Sequence, residues 1–419
     1  PAKVAILSSA LMGSLSGSAI ANTATTGTFT IPMMRSAGFQ PVTAAGIQAA
    51  ASSGGALMPP VMGAGAYMML EIIEPPVTYL EIVRAAAIPA LLYYLSLLLI
   101  VHFHARRVAI TTVGALEERT APPCSTRFEG VVFATALGSL IVFLLLGFTA
   151  FRAVTLALAM IVMTSSLHAS TRLQIGSTIR ALIAAARGVV PLVAAAACVG
   201  IIVGTVTLTG IGTRLPATIV PLAEQSLFLA LVLIMVSSII LGMGLPSAVC
   251  YLLMATLIGP VLGNLGVIPL AAHLFIFYFG MMSMVTPPVA LAAYTASAIA
   301  GSGIMATGFA AFRYALVGFA LPYCFVLRPD LLILPDGGGF ISVLSSIGIT
   351  VIGLIPLAQS VTGRLVAPHS AIERAALMLG ALGILILGPA TDSVILVIAG
   401  VLITIAIGAL NFRRARVLR

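Results

Sequence analysis

The sequence predicts an all-α polytopic membrane protein, and three observations favour this fold class. Of its 419 residues, 60% are hydrophobic and only 7% are charged, whereas a soluble domain carries roughly 25% charged residues. Apolar runs of about 20 residues, long enough to span the bilayer core, recur along the chain. These runs are continuous rather than alternating, which excludes a transmembrane β-barrel. The expected surroundings are a lipid bilayer, and the net charge of +9 gives no indication of nucleic-acid binding.

The predicted elements can be placed in order along the chain. A first helix covers about 4–21, and a stretch rich in threonine and glycine follows over 22–30. An amphipathic helix on the membrane surface is predicted over 170–188, where arginines recur at helical spacing. The other predicted spans are 88–103, 128–149, 151–168, 189–210, a run over 226–262 broken at 241–246, 309–333, 340–360, 372–389 and 393–411. The chain thus divides into a core, 1–335, and a C-terminal three-helix membrane extension, 336–419.

Two regions of the core predict re-entrant helical hairpins. Residues 52–60 read SSGGALMPP, and two glycines with a Pro-Pro pair cannot continue an α-helix. The apolar segments on either side, within 42–74, are each too short to span a bilayer. The same pattern occurs over 269–298, hinged at 283–288. A break at membrane depth is tolerated only where protein or a water-filled cavity satisfies the backbone.

The hairpins belong to an internal repeat with an offset of 228 residues. Pro59-Pro60 parallels Pro287-Pro288, and the broken segment 13–18 falls opposite 241–246. The repeats cover about 4–75 and 226–298. Inverted repeats with paired helix breaks indicate a secondary transporter, because half-helix N-termini attract anions and unwound carbonyls offer oxygen to cations. The alternative is that the glycines only allow close helix packing.

Charge placement predicts the orientation. Arginine-rich places occur at 104–127, 172–187, 364–374 and 413–419, and counting spans puts all four on one side, the cytoplasm by the positive-inside rule. The C-terminus is then cytoplasmic, and the two hairpins enter from opposite faces. Because the chain starts with Pro1 and enters an apolar run at once, we also expect an N-terminal portion to be missing.

Four segments resemble the large membrane subunit of TRAP transporters, and most closely the fused permeases that work with TAXI-type periplasmic binding proteins. They read GSLSGSAIANTATTGTFTIPMMRSAGF, AAASSGGALMPPVMGAGAYMM, LGMGLPSAVCYLLMAT and AAHLFIFYFGMMSMVTPPVALAAYTASAIAGS, and the resemblance covers 1–335. It implies an elevator-type, sodium-driven importer of organic acids in the bacterial inner membrane. It also implies a periplasmic TAXI-type solute-binding protein, a small four-helix membrane subunit or its fused equivalent, and no cofactor besides the coupling sodium.

The resemblance carries site residues over by motif. The first sodium site would use Ser16, Gly54, Leu57 and Pro59, and the second would use Gly242, Ser283, Thr286 and Val289. The solute would lie between them, near Ser18, Asn22, Met62 and Gly63. Several of these residues would act through backbone carbonyls, and the apolar wall at Met62 and Gly63 favours a simple carboxylate over a sugar acid. For Asn22, satisfying the broken backbone is an equal alternative.

Other classes of function were weighed against this one. No Asp, Glu or Lys lies inside the repeat cores, which argues against a carboxylate proton relay. The stretch 13–17 lacks the G-x-S-x-G spacing of a hydrolase, so no enzymatic step is expected. A passive channel, or a carboxylate/sodium symporter outside the TRAP family and without a binding protein, are the alternatives left open.

Overall fold

The computed structural model describes residues 1–111, 127–169, 171–209, 226–245, 247–334 and 338–417. Its main elements are α-helices: α1 Ala2–Ser16, α2 Ala19–Ser36, α3 Pro41–Gly55, α4 Gly63–Ile72, α5 Tyr79–Thr111, α6 Arg127–Leu145, α7 Ala150–Ser166, α8 Ile175–Thr209, α9 Leu227–Gly242, α10 Ser247–Asn264, α11 Pro269–Met282, α12 Leu291–Ala300, α13 Ile304–Leu327, α14 Phe340–Thr362, α15 Ala371–Leu382 and α16 Val394–Val417. A π-helical segment, Gly383–Leu387, and a short helix, Gly388–Ala390, extend α15.

Six helices among the described residues are long and apolar enough to cross a membrane. They are Tyr79–Ala105, Phe128–Leu145, Ile304–Leu327, Phe340–Thr362, Ala371–Ala390 and Val394–Ala415. The last three coincide with the three spans predicted after residue 336. The fold class is therefore confirmed as an all-α polytopic membrane protein.

The helix α1 ends where the sequence placed the first break. Gly17 has φ 59°, a left-handed conformation that glycine adopts without strain, and its N–H bonds the Gly13 carbonyl at 2.9 Å. Ser18 then caps α2, because its side chain accepts a hydrogen bond from Ala21 N at 3.3 Å. The broken segment at 13–18 is confirmed, and the chain restarts at once as a second helix.

The prediction that a first helix covers about 4–21 and that a separate stretch rich in threonine and glycine follows it over 22–30 is wrong. Those residues lie inside α2. Their hydroxyls donate to the preceding turn, as Thr23 does to Ala19 O at 2.8 Å and Thr26 to Asn22 O at 2.7 Å. This back-bonding removes the desolvation penalty of a threonine hydroxyl within a helix.

Both hairpins have arms too short to cross a bilayer. At 1.5 Å per residue, α3 with 15 residues is about 22 Å long and α4 with 10 residues about 15 Å, against a hydrocarbon core of about 30 Å. In the second hairpin, α11 has 14 residues and α12 has 10. Neither 42–74 nor 269–298 is an unbroken rod, so the predicted hairpin breaks are confirmed.

The two repeats share one backbone plan at the predicted offset of 228. Adding 228 to both ends of α2 gives both ends of α10, and the same is true of α4 and α12. Met62 and Ala290, the equivalent residues before α4 and α12, are both left-handed, with φ 53° and 42°. The repeats also contact each other reciprocally: α4 packs on α10, and α12 packs on α2. Reciprocal contact between equivalent elements is the signature of a twofold relation.

Elsewhere several boundaries differ from those predicted. The helix α5 covers Tyr79–Thr111 where a span over 88–103 was predicted, and α13 covers Ile304–Leu327 where a span over 309–333 was predicted. The segment predicted as a separate surface helix, 170–188, continues into the next predicted span as the single 35-residue helix α8, so no break separates them. The helix α7 has only 17 residues, one fewer than the span predicted over 151–168. Residues 104–111 of the arginine-rich region 104–127 are helical and belong to α5. Residues 112–126, residue 246 of the break 241–246, and 335–337 lie outside the described residues.

Candidate functional site

In the first repeat, the break between α1 and α2 lies directly against the tip of its own hairpin. A β-carbon on Gly13 would lie 2.2 Å from Gly55 Cα, and a β-carbon on Gly17 would lie 2.2 Å from Gly63 Cα. The two backbones can approach this closely only because these residues are glycines and carry no β-carbon. The N–H of Val61 also donates to a carbonyl beside the break, that of Ser14, at 3.2 Å. The sequence therefore uses glycine here to bring two irregular backbone segments together.

The four residues assigned to the first ion site occupy this junction. Leu57 is fully buried, and its N–H bonds the Gly54 carbonyl at 3.0 Å in the turn that ends α3. Pro59 is half-buried in the tip. The Ser16 hydroxyl, in the last turn of α1, is buried and has no hydrogen-bond partner among the described residues. The geometry brings break and tip together, and the ion-binding role of these four residues stays a prediction.

In the second repeat, a side chain makes the corresponding contact. The Ser283 hydroxyl lies 3.0 Å from the Gly242 carbonyl oxygen at the end of α9, and 2.6 Å from that of Gly280. The Thr286 hydroxyl donates to Met282 O at 2.7 Å. Val289 lies near the break, with Cγ1 3.8 Å from the position of a β-carbon on Gly244. All four residues assigned to the second ion site thus gather at one junction, where hydroxyl and carbonyl oxygens lie side by side.

The residues assigned to the solute are at or near the first junction, and they are largely enclosed. Ser18 caps α2, Met62 is fully buried, and Gly63 meets Gly17. Asn22 is also fully buried, and its Nδ2 donates to Ser9 O in α1 at 2.8 Å. Its amide therefore satisfies backbone in this conformation, and solute contact by Asn22 stays a prediction.

Sequence reasoning missed a buried polar network around Gln48. This side chain is fully buried in α3, within the apolar run AAGIQAAA. Its Nε2 lies 2.9 Å from Ser9 Oγ in α1 and 2.6 Å from Thr26 Oγ1 in α2, and its Oε1 accepts from Thr30 at 2.6 Å. The available signal was a single amide in a run of small residues, which could not name the partners.

Tyrosines tie α5 to the first hairpin. The hydroxyls of Tyr93 and Tyr94 donate to the consecutive carbonyls of Ala50 and Ala51 at 2.7 and 2.8 Å. Near the start of α5, Tyr79 donates to the tip carbonyl of Pro60 at 2.7 Å. These bonds anchor the hairpin along its length to a membrane-spanning helix.

Duplicated helix breaks, each held against a hairpin tip within a bundle of membrane-length helices, define a multi-pass membrane transport protein. The family model of the DctM component of the Tripartite ATP-independent periplasmic transporter matches residues 1–335, and the chain belongs to this family. It is therefore a transporter component and not an enzyme.

One relative shows the extent of the similarity. The 2,3-diketo-L-gulonate TRAP transporter large permease protein YiaN of Escherichia coli (strain K12) is 25% identical over 346 residues, which cover 79% of this chain and 76% of that protein. Family membership corrects one alternative left open above, a symporter outside the TRAP family.

Proposed function

We propose that this chain is the large permease of a sodium-driven importer that moves an organic acid, as its carboxylate, across the bacterial inner membrane. A periplasmic binding protein of the TAXI type delivers the solute. A small four-helix membrane subunit, or a fused equivalent, completes the membrane part. The similarity to a permease named for an organic acid anion supports the carboxylate class.

The observation that carries the proposal is the duplication of the junction between break and tip. Each repeat places unwound backbone against a hairpin end, and each such junction presents oxygen atoms away from regular helix hydrogen bonding. A hard monovalent cation takes carbonyl and hydroxyl oxygen ligands, and a neutral set binds it weakly enough for release. Two junctions support two sodium sites.

The second junction presents the clearer pair of ligands. The Ser283 hydroxyl can donate its one hydrogen to Gly280 O while its lone pairs turn toward the space shared with Gly242 O. Two oxygens aimed at one point form an edge of a cation's coordination shell. The carboxylate of the solute would bind between the sites, close to the N-terminus of α2, where the helix dipole favours negative charge.

The hydrogen bonds and helix packing support an elevator-type movement, in which one group of helices moves and another group, the frame, stays fixed in the membrane. The helix α5 is bonded to the first hairpin and would travel with it. The helices α6 and α7 pack chiefly on each other. Only 11% of the apolar segment Phe128–Leu145 of α6 is buried inside the protein. We assign α6 and α7 to the frame that stays fixed in the membrane, with the arginine-rich loops and the C-terminus on the cytoplasmic side.

The test is uptake by the complete permease, reconstituted in proteoliposomes with its binding protein. Labelled monocarboxylates and dicarboxylates are offered with an inward sodium gradient, with equal sodium on both sides, and with choline in place of sodium. We expect uptake above the equilibrium level only with the gradient and only with the binding protein. Uptake that is the same with and without a sodium gradient, and that stops at the equilibrium level, would identify a passive channel. Uptake without the binding protein would contradict the proposed delivery of the solute.

A further inference from the structure

The two repeats have the same backbone plan but different interiors. Four positions of the polar network have apolar or weakly polar equivalents at the offset of 228: Asn22 corresponds to Cys250, Thr26 to Met254, Gln48 to Ile276 and Ser52 to Gly280. Gln48 and Ile276 are both fully buried, as are Asn22 and Cys250. At these four positions the first repeat is held by hydrogen bonds and the second by packing. Elsewhere in the second repeat, a buried hydrogen bond of 2.8 Å between the Tyr251 hydroxyl and His273 Nδ1 joins α10 to α11.

The polar network is saturated with internal bonds and does not form a ligand site. The Gln48 Nε2 lies 2.9, 2.6 and 3.1 Å from the hydroxyl oxygens of Ser9, Thr26 and Ser52, enough acceptors for both of its hydrogens, and Oε1 accepts from Thr30. The Thr26 hydroxyl donates to the backbone at Asn22 O. With both ends of the amide engaged, the network connects three helices to one another instead of binding a solute or ion.

Gln48 joins the elements that form the first junction. Ser9 is on α1, one turn before Gly13, and Thr26 is on α2, after the break, while Gln48 is on the hairpin arm α3 that ends at Gly55. A buried amide without its partners is strongly unfavourable. The three helices therefore have one preferred spacing, in which Gly13 meets Gly55. In the second repeat, α9 and the end of α11 are joined by the Ser283–Gly242 hydrogen bond and α10 and α11 by the Tyr251–His273 hydrogen bond. The apolar contacts that replace the Gln48 network there are not directional and fix the spacing less narrowly.

We propose that Gln48 is a positioning residue: it holds α1, α2 and α3 in register, so that the first ion site is preformed before sodium binds. The part of this inference that concerns sodium rests on the proposed function. The part that concerns the register of the three helices rests on the contacts described above. Its consequence is an asymmetry between the repeats. Without sodium, the first junction stays closed, whereas the second junction, which has no such network, is ordered mainly by the ion.

The first measurement follows the register without any reference to transport. Hydrogen–deuterium exchange of the purified full chain in lipid nanodiscs is recorded in choline chloride and in sodium chloride. In choline we expect amides over 47–57 to be protected in the wild-type protein, and amides over 275–285 to gain protection on adding sodium. The near-isosteric variant Gln48→Met should lose protection over 47–57 in choline by at least tenfold, because the loss of even one of its buried hydrogen bonds has about that effect.

The second measurement separates positioning from general stability. The sodium concentration that gives half of the maximal shift in melting temperature is determined with choline held at constant total salt. For Gln48→Met we expect this concentration to rise about tenfold. The matched control is Ile276→Leu at the equivalent buried position, where we expect no change. Ser52→Ala removes a single partner at little risk to folding, and it should move the sodium value in the same direction by a smaller factor.

The outcomes distinguish a positioning role of Gln48 from a purely structural role, and both from a failure of the proposed function. A lower melting temperature with unchanged sodium half-saturation and unchanged exchange over 47–57, for Gln48→Met or for Ser52→Ala if the first variant does not fold, would reduce Gln48 to a structural residue and overturn the inference. If sodium has no effect on the wild-type protein, the proposed function fails. The exchange in choline still decides whether Gln48 holds the register.

Discussion

Replacing Gly17 by alanine should separate the first helix break from the hairpin tip. Gly17 has φ 59°, and a β-carbon there would lie 2.2 Å from Gly63 Cα and 2.3 Å from Gly63 N. The obstructing atoms belong to the backbone, so no side-chain rotation relieves the overlap. Alanine at this position must shift either the break or the start of α4.

The expected magnitude has two parts. An alanine in the left-handed region costs about 1–2 kcal/mol, and overpacking that moves backbone costs about 1–3 kcal/mol more. The sum for Gly17→Ala is a loss of about 2–5 kcal/mol in the free energy of unfolding. Gly301 supplies the matched control, since it also ends a helix with φ 62° but has nothing within 4 Å of its β-carbon position. Gly301→Ala should therefore show only the first part.

The assay compares the two variants by thermal unfolding in lipid nanodiscs and by sodium-driven uptake in proteoliposomes. Gly17→Ala should melt at a lower temperature than Gly301→Ala and should lose most of its uptake. Gly301→Ala should retain uptake close to that of the wild-type protein. Equal melting temperatures with equal uptake would refute the close approach of Gly17 to Gly63 and, with it, the first junction as a working part.

Three further predictions concern the second junction and the C-terminal extension. Replacing Ser283 and Thr286 together by alanine should raise the sodium concentration needed for half-maximal uptake at least tenfold, whereas Thr295→Ala on α12 should leave it unchanged. A larger rise in this concentration for Thr295→Ala than for the double replacement would place the ion elsewhere. The Asn411 amide bonds three backbone groups of the loop before α15 at 2.9–3.1 Å. Asn411→Leu should therefore destabilise the extension by roughly 2–4 kcal/mol in thermal unfolding, and an unchanged melting temperature would contradict that role. Burial lowers the pKa of His369, in the same loop, so the stability linked to this ring is present above its unfolded value of about 6.5 and is lost as the pH falls through the depressed value. A melting temperature that declines between pH 7.5 and 5 less steeply in His369→Gln than in the wild-type protein would verify this, and parallel curves would exclude it.

The breaks and hairpins could be predicted from sequence because their causes are local. The segment SSGGALMPP interrupts a helix through glycine and proline alone, and α3 ends at Gly55, inside it. The helical state of 22–30 could not be predicted, since glycine and threonine have low helix propensity, and burial with back-bonding overrides it. Propensity is a weak prior wherever tertiary packing decides.

The Gln48 network depends on long-range relations and was therefore not visible in the sequence. Apart from Ser52 on the same helix, the partners of Gln48 lie 18 to 39 residues away, on two other helices. The offset of the repeats pairs position 48 with Ile276, which lies in an apolar run. It could not predict that the first repeat would bury an amide at this position, and the three-dimensional arrangement of α1, α2 and α3 was needed to identify the acceptors.

The two junctions differ in what must move to open them. In the first, Gly13 meets Gly55 backbone to backbone, so opening requires helices to separate, and the Gln48 bonds resist that separation. In the second, the contact is between the Ser283 hydroxyl and the carbonyl oxygen of Gly242, and under the proposed function a cation would take that carbonyl as a ligand. A shared backbone plan with unequal interiors therefore gives two junctions of unequal rigidity. If the proposed sodium coupling is correct, the second site is the one whose order depends on the ion and the one able to report its arrival to the solute.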